Sequence, residues 1–147
     1  MFRKILVPVD GSKIATIAAR TALELAEKFG AKITLLHVIS RSVGSIAGMP
    51  EALPVVTEAM IKEWQETGDL VLKNTLEALG TTDVEVETEL IWGSPAAYIC
   101  DKANHEGYDI IVIGSHGYGG WREWLLGSVS NRIAHQAKCP VLIVKGQ

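Results

Sequence analysis

The most constraining feature of this sequence is an uninterrupted apolar run at residues 110–113, which ends in Gly114 and leads into a polar loop. An apolar run this short, bounded by a glycine, predicts a parallel strand that is buried on both faces. The loop then begins at the carboxyl end of that strand. We expect a ligand to bind there.

The glycines of this loop and of the segment after it are regularly placed. Gly114 and Gly117 are three positions apart, and after nine intervening residues Gly127 and Ser128 begin a helical pattern. Glycine lets the backbone approach an anion closely and adopt positive φ, and the first N–H groups of a helix attract negative charge. Ser128 can cap this helix or offer its hydroxyl to a phosphate oxygen. The pattern predicts a phosphate-binding loop.

Short apolar runs alternate with helical patterns along the whole chain, which is typical of a parallel sheet with right-handed crossovers. The sequence therefore predicts an α/β fold: a single doubly wound parallel five-stranded sheet with helices on both faces. Strands are predicted at residues 5–9, 33–38, 84–90, 110–113 and 141–144, and helices at residues 12–29, 55–79, 94–107 and from Gly127 onwards.

Three details of this prediction can be tested in a structure. Gly68 is expected to be a weak point inside the longest helix. The third strand alternates apolar residues with Glu85, Glu87 and Glu89, so it is expected to be an edge strand with three solvated glutamates. The stretch 41–54, which contains two glycines and two prolines, is expected to be a mobile segment.

Chain length, charge and cysteine usage favour a single-domain protein of the cytosol. With 147 residues the chain is expected to form one domain, and its apolar runs are too short for a membrane span or a signal peptide. The net charge of −3 argues against nucleic acid as a partner. Cys100 and Cys139 form no C-x-x-C motif, which indicates buried thiols in a reducing cytosol.

Two polar residues near the predicted loop have alternative roles. Asp10 follows the first strand directly, where its carboxylate could accept hydrogen bonds from ribose hydroxyls or could cap the first helix. His116 lies in the glycine loop, where it could transfer a proton or contribute only its backbone N–H. His37 is expected to be a hydrogen-bonded core histidine, and His105 and His135 are expected to be exposed.

The motif G114-x2-G117-x9-G127-S128, together with ILVPVDGS near the N-terminus and CPVLIV near the C-terminus, resembles the ATP-binding branch of the universal stress protein family. The resemblance covers nearly the whole chain. It implies the strand order 3-2-1-4-5, which places Asp10 and Gly114 at one cleft between the first and fourth strands.

The resemblance also implies a role for individual residues. It places Asp10 on the ribose, and it places the remaining residues around the nucleotide as follows: Pro8, Val9 and Val38 around the adenine, Ile113 and Gly114 beside the nucleoside, and Gly117, Gly127, Ser128, Val129 and Ser130 on the phosphates and nearby ribose. His116, Tyr118 and Gly119 complete the predicted loop. Many relatives carry a basic residue where this chain has Tyr118, so Arg122 or a bound Mg²⁺ is expected to neutralise the third phosphate.

These observations favour a cytoplasmic ATP-binding regulator or sensor of the stress response, at most a slow ATPase, because a nucleotide cradle without a catalytic set does not drive phosphoryl transfer. Three alternatives stay open: a sensor of cyclic AMP or another adenine nucleotide, an ATP-consuming enzyme, and a purely structural dimer. The apolar edge strand at residues 141–144 and the resemblance together predict a homodimer, and a regulator implies a further, unidentified protein partner.

Overall fold

The computed structural model of the chain describes residues 1–40, 56–116 and 126–146. The stretch 41–54, predicted to be mobile, lies outside these residues. Five strands and four helices alternate in the described part, in the order β1 (Lys4–Pro8), α1 (Lys13–Phe29), β2 (Lys32–Ile39), α2 (Glu58–Leu79), β3 (Val86–Trp92), α3 (Pro95–His105), β4 (Ile110–Gly114), α4 (Ser128–Gln136) and β5 (Val141–Val144).

The five strands form one parallel sheet with the order β3-β2-β1-β4-β5, which confirms the predicted fold and strand order. β1 pairs with β2 from Lys4↔Lys32 to Pro8↔Leu36, and with β4 through Ile5↔Ile110. β3 and β5 are the two edges. From β1 the strands are added toward one edge as far as β3 and then, beginning with β4, toward the other edge. In open α/β sheets this reversal of strand order creates a crevice beyond the carboxyl ends of the strands.

Each face of the sheet is covered by one pair of helices. On one face α1 and α2 pack against the alternate strand residues Ile5, Val7, Ile33, Leu35 and Val112. On the other face α3 and α4 pack against Leu6, Leu36, Ile111 and Ile113. The central strands are therefore buried on both sides, as their uninterrupted apolar runs predict. No helix among the described residues is long and apolar enough to cross a membrane.

Helix α2 begins later than its pattern predicts and continues through Gly68. Thr57 is the N-cap, and its side-chain oxygen accepts a hydrogen bond from Met60 N at 3.2 Å. Gly68 is buried, and a Cβ built on it would lie 2.6 Å from Leu90 Cδ1 and 3.2 Å from His37 Cδ2. This glycine is therefore a point of close contact between α2 and the sheet.

Strand β3 begins two residues later than predicted because Val84 N donates to Thr82 Oγ1 at 3.2 Å in the preceding turn. β3 is an edge, and Glu85 and Glu87 are exposed, as expected. The prediction was wrong for Glu89. Its carboxylate contacts Lys102 Nζ at 2.6 Å and accepts a hydrogen bond from the Tyr98 hydroxyl at 3.0 Å.

The two cysteines are free, as expected, but they differ in burial. Cys100 is buried in α3, and burial raises the pKa of its thiol. Cys139 precedes β5 and is only half-buried, so the prediction of a buried thiol was wrong there. Burial nevertheless raises the pKa of Cys139 as well.

Candidate functional site

A cleft of about 520 Å³ lies at the carboxyl end of the sheet, where β1 and β4 are neighbours. This volume falls within the usual range of small-molecule sites. Segments at the ends of β1, β2 and β4 and the beginnings of α1, α3 and α4 form its walls. The cleft is lined by Pro8, Val9, Asp10, Ala15, Leu36, His37, Val38, Pro95, Ile99, Ile113, Gly114, His116, Gly127, Ser128, Val129 and Ser130.

Every residue of the predicted site that lies in the described part of the chain lines this cleft. Gly117, Tyr118, Gly119 and Arg122 lie outside the described residues. Five lining residues were not predicted from the sequence: Ala15, Leu36, His37, Pro95 and Ile99. Pro95 could have been predicted. The pair Ser94-Pro95 marks the beginning of a helix that follows a strand, and such a junction lies at the carboxyl edge of the sheet, where the cleft is.

The turn after β1 places Asp10 in the cleft, and Ser12 instead of Asp10 caps α1. Ser12 is the N-cap of α1, and its side-chain oxygen accepts a hydrogen bond from Ala15 N at 3.2 Å. Asp10 is therefore not the cap. Its Oδ1 accepts from Ser12 N at 2.9 Å, and Gly11 between them adopts a φ of 85°, which favours glycine. This turn holds a partly exposed carboxylate at the edge of the cleft.

Gly127 and Gly114 each lie close to a neighbouring segment, and neither has a positive φ. Gly127 has φ −61° and ψ 159°, values open to any residue. A Cβ on Gly127 would lie 3.1 Å from His116 Cα, and one on Gly114 would lie 3.0 Å from Cγ1 of Ile14. The expectation of positive φ was wrong for these two glycines. They let α4 approach the loop, and α1 approach β4.

The carbonyl oxygen of Ser115 fixes the beginning of α4 against the end of β4. It accepts hydrogen bonds from Gly127 N and from Ser130 Oγ, both at 2.7 Å, while Ser115 N donates to Val144 O at 2.8 Å. Ser130 is buried, and its hydroxyl is thus committed to holding this junction. Ser115 consequently connects β4, β5 and α4 at one point.

The first turn of α4 faces the cleft. Gly127 is the N-cap of α4 and Ser128 is the first helical residue, so of the two roles predicted for Ser128 the helix cap does not apply. The first N–H groups of a helix have no acceptor within the helix, and together with the helix dipole they favour an anion. Ser128 is exposed and Val129 is half-buried at this end of the cleft.

Two histidines line the cleft in different surroundings. His37 is half-buried, and its Nδ1 lies 2.7 Å from Val9 O, as expected for a hydrogen-bonded core histidine. His116 is also half-buried, and its Nδ1 lies 3.1 Å from Ser115 Oγ. His105 and His135 are exposed, as predicted. Among the described residues, the ionisable side chains that line the cleft are Asp10, His37 and His116.

A second depression, of about 770 Å³, lies at the opposite end of the sheet. Its walls carry charges of both signs, with Arg3 and Lys32 near Glu27, Asp83 and Glu85. Such a mixture does not select for an anion. Within the described ranges there is no group of three or more His, Cys, Asp or Glu side chains that could hold a metal ion.

The fold is that of a doubly wound α/β protein, and its cleft lies at the topological switch point. Residues 1–145 match the universal stress protein family, and the chain belongs to that family. Universal stress protein YxiE of Bacillus subtilis is 34% identical over 148 residues, which cover 99% of this chain and 100% of YxiE.

Solved structures share the fold. The structure of the hypothetical protein MJ0577 has a TM-score of 0.74 and 30% identity, covering 100% of this chain and 98% of its own; that protein comes from Methanocaldococcus jannaschii. A universal stress protein in complex with cAMP has a TM-score of 0.71, 22% identity, and coverage of 99% of both chains. The Arabidopsis thaliana family protein At3g01520 with AMP bound has a TM-score of 0.68, 22% identity, and coverage of 99% and 92%.

Proposed function

We propose that the cleft binds an adenine nucleotide, with ATP as the main ligand, and that the protein is a nucleotide-dependent regulator or sensor of the stress response. The observation that carries this proposal is the division of one cleft into an apolar part and a helix terminus. A nucleotide needs both, because its base is a flat, weakly polar ring system and its phosphates are anions.

The apolar part suits the base. Val9, Leu36, Val38, Ile99 and Ile113 line the cleft, and three of these side chains also belong to the core that packs under α3 and α4. Desolvating an aromatic base against such side chains is favourable at roughly 25 cal/mol per Å² of buried apolar area. We assign the adenine to this part of the cleft.

The opposite part suits the polyphosphate. Gly127, Ser128, Val129 and Ser130 form the beginning of α4 and line the cleft. Gly127 N donates to Ser115 O, and the N–H groups that follow it lack helical acceptors and are assigned to the phosphates. Asp10, held by its hydrogen bond from Ser12 N, lies on the β1 side of the cleft and is assigned to the ribose hydroxyls. Mg²⁺ would enter with the nucleotide, since this ion is commonly held through substrate phosphates.

The arrangement supports binding more than rapid hydrolysis. Phosphoryl transfer needs a positioned nucleophile, and charge stabilisation of the transition state, in addition to bound phosphates. A helix terminus supplies only part of that stabilisation. The protein is therefore proposed to be at most a slow ATPase, and a turnover of several ATP per second would contradict this.

The setting of the proposed function is a cytoplasmic homodimer in which residues 1–147 act as one domain. β5 pairs with β4 on one side only, and its residues are half-buried apart from Leu142, which is 36% exposed. An apolar strand at an open edge invites pairing with another strand. A second copy of β5 is the proposed partner, and regulation would act through a further protein.

The test uses a charge at the helix terminus. Ser128→Asp places a carboxylate at the first position of α4, where it suits the helix dipole but repels phosphate. Asn131→Asp adds the same charge at an exposed position of α4 that does not line the cleft. By calorimetric titration with MgATP we expect the parent and Asn131→Asp to bind alike, and Ser128→Asp to bind at least about tenfold more weakly.

Failure of the parent to bind MgATP would contradict the proposal, as would equal affinity of Ser128→Asp and the parent. Titration of the parent with cAMP, AMP and ADP then identifies the preferred nucleotide. Tighter binding of cAMP than of MgATP would favour the cyclic-nucleotide sensor. Circular dichroism of both variants verifies that α4 and the sheet have formed.

A further inference from the structure

The part of the cleft lining that the structure describes offers a polyphosphate no lysine or arginine side chain. Within the described residues its ionisable side chains are one carboxylate, Asp10, and two imidazoles, His37 and His116. With neutral imidazoles the described lining carries a negative charge. The cations Lys13 and Lys145 belong to segments near this end of the sheet, but they are exposed and do not line the cleft.

An imidazole is the side chain whose charge changes between about pH 5 and 8. We infer that protonation of His116 tightens nucleotide binding, so that the site responds to acidification. This inference rests on the proposed function and specifies how that site is regulated. Protonated His116 would supply a positive charge beside the beginning of α4, and nucleotide binding would take up a proton.

The contact between His116 and Ser115 is compatible with both charge states. A hydroxyl can donate and accept, so Ser115 Oγ can donate to an unprotonated Nδ1 or accept from a protonated one at the observed 3.1 Å. Because Nδ1 is engaged by Ser115 in either state, Nε2 is the ring atom that would donate to a phosphate oxygen. Gly127 packs against the backbone of His116, so the imidazole is attached close to the helix terminus.

His37 is the weaker candidate for the same role. Its Nδ1 is the donor to Val9 O at 2.7 Å, because a carbonyl only accepts. Its Cδ2 would lie 3.2 Å from a Cβ on Gly68, so the ring is enclosed by α2 on that side.

The experiment measures MgATP affinity by calorimetry between about pH 5.5 and 8 for the parent, His116→Asn and His37→Asn. The terminal phosphate of ATP also titrates in this window, so the ratio of the parent's affinity to that of the variant is compared at each pH. We expect the ratio for His116→Asn to rise about tenfold toward pH 5.5, and the ratio for His37→Asn to stay constant. In buffers of different ionisation enthalpy, the parent should take up more protons on binding than His116→Asn.

His116→Arg provides a second, independent test. A permanent cation at this position should give the variant at about pH 8 an affinity at least as high as that of the parent at low pH. A constant ratio for His116→Asn with binding retained would overturn the inference and leave the proposed function intact. If the pH response disappears in His37→Asn and not in His116→Asn, the response belongs to His37 and the inference is wrong. If the parent binds no MgATP at any pH, both the inference and the proposed function are wrong.

Discussion

Replacing Lys102 with methionine should destabilise the fold by about 1.5–3 kcal/mol at neutral pH. Lys102 lies in α3, and its side chain is only 7% exposed. It contacts Glu89 Oε2 of β3 at 2.6 Å and both carboxylate oxygens of Glu106 at 3.0 Å. Methionine is unbranched like lysine and lacks only the terminal ammonium group in length, so the substitution removes the charge with little change of packing.

The magnitude follows from the exposure of the two acidic partners. Removing one member of a fully buried ion pair costs about 3–5 kcal/mol, because the other charge stays buried without compensation. Here the side chain of Glu89 is 33% exposed and that of Glu106 is 51% exposed. Water can therefore hydrate both carboxylates in the variant, and Tyr98 continues to donate to Glu89. The expected loss lies below that of a fully buried pair.

The assay is urea unfolding followed by circular dichroism, with Lys73→Met at an exposed position of α2 as the matched control. The control should change the free energy of unfolding by less than about 0.5 kcal/mol. Glu89→Gln completes a double-mutant cycle, in which the coupling to Lys102 should be at least about 1 kcal/mol. Equal stability of Lys102→Met and Lys73→Met would refute the reasoning.

The effect of Lys102 on stability should also depend on pH in a defined direction. Burial alone lowers the pKa of Lys102, but hydrogen bonds to Glu89 and Glu106 outweigh burial and hold the pKa above its usual range. A group whose pKa is raised by folding stabilises fully below its unfolded pKa and loses that effect as the pH rises. The stability difference between the parent and Lys102→Met should be constant from about pH 6 to 9 and narrow above roughly pH 10.4.

Four further changes test other contacts. Ser130→Ala should cost about 1 kcal/mol in urea unfolding, because it removes the hydroxyl bound to Ser115 O while Gly127 N still satisfies that carbonyl. Gly127→Ala should lower the melting temperature by several degrees, since its Cβ would lie 3.1 Å from a backbone atom, whereas Gly93→Ala has space and should not. Hydrogen bonds from Arg3 N and Lys4 N hold the pKa of Asp109 below its usual range; Asp109→Ala should cost about 1–2 kcal/mol at pH 7, and the difference should vanish as the pH falls below about 4 and through the lowered pKa. Leu142→Glu should convert the proposed dimer to a monomer in light scattering, and a parent that is itself monomeric at micromolar concentration would contradict that proposal.

The sheet could be predicted from the sequence because its central strands are apolar on both faces. Runs such as residues 5–9 and 110–113 fit a parallel strand between two helical layers, and the order of strands and helices then leaves few topologies. Boundaries were less predictable because single hydrogen bonds decide them. The Thr57 side chain caps α2 and so sets where that helix begins. The Thr82 side chain accepts a hydrogen bond from Val84 N and holds Val84 in a turn before β3, although valine and threonine both favour strands.

Polar residues that are buried through tertiary contacts could not be predicted. Lys102 occupies a helical position where a lysine is normally exposed, and its burial requires that β3 bring Glu89 beside α3. The same limit applies to Ile99 and Leu36 in the cleft, which from sequence periodicity are ordinary core residues. Whether an apolar residue lines a cleft or fills the core depends on where the neighbouring strand ends. The residues adjacent in sequence do not determine that end.

The glycines show that a pattern can have a physical basis different from the one expected of it. Gly114 and Gly127 were expected to free the backbone for a phosphate, but in the structure each makes room for a neighbouring segment of the protein itself. Bulky substitutions there would press against α1 or the loop before α4, so weaker nucleotide binding in such variants could result from disturbed packing. A charge at the exposed Ser128 leaves that packing unchanged, so it separates the two causes. The close packing of Gly127 on His116 also holds an imidazole beside the helix terminus, which is why the response of this site to pH should depend on His116.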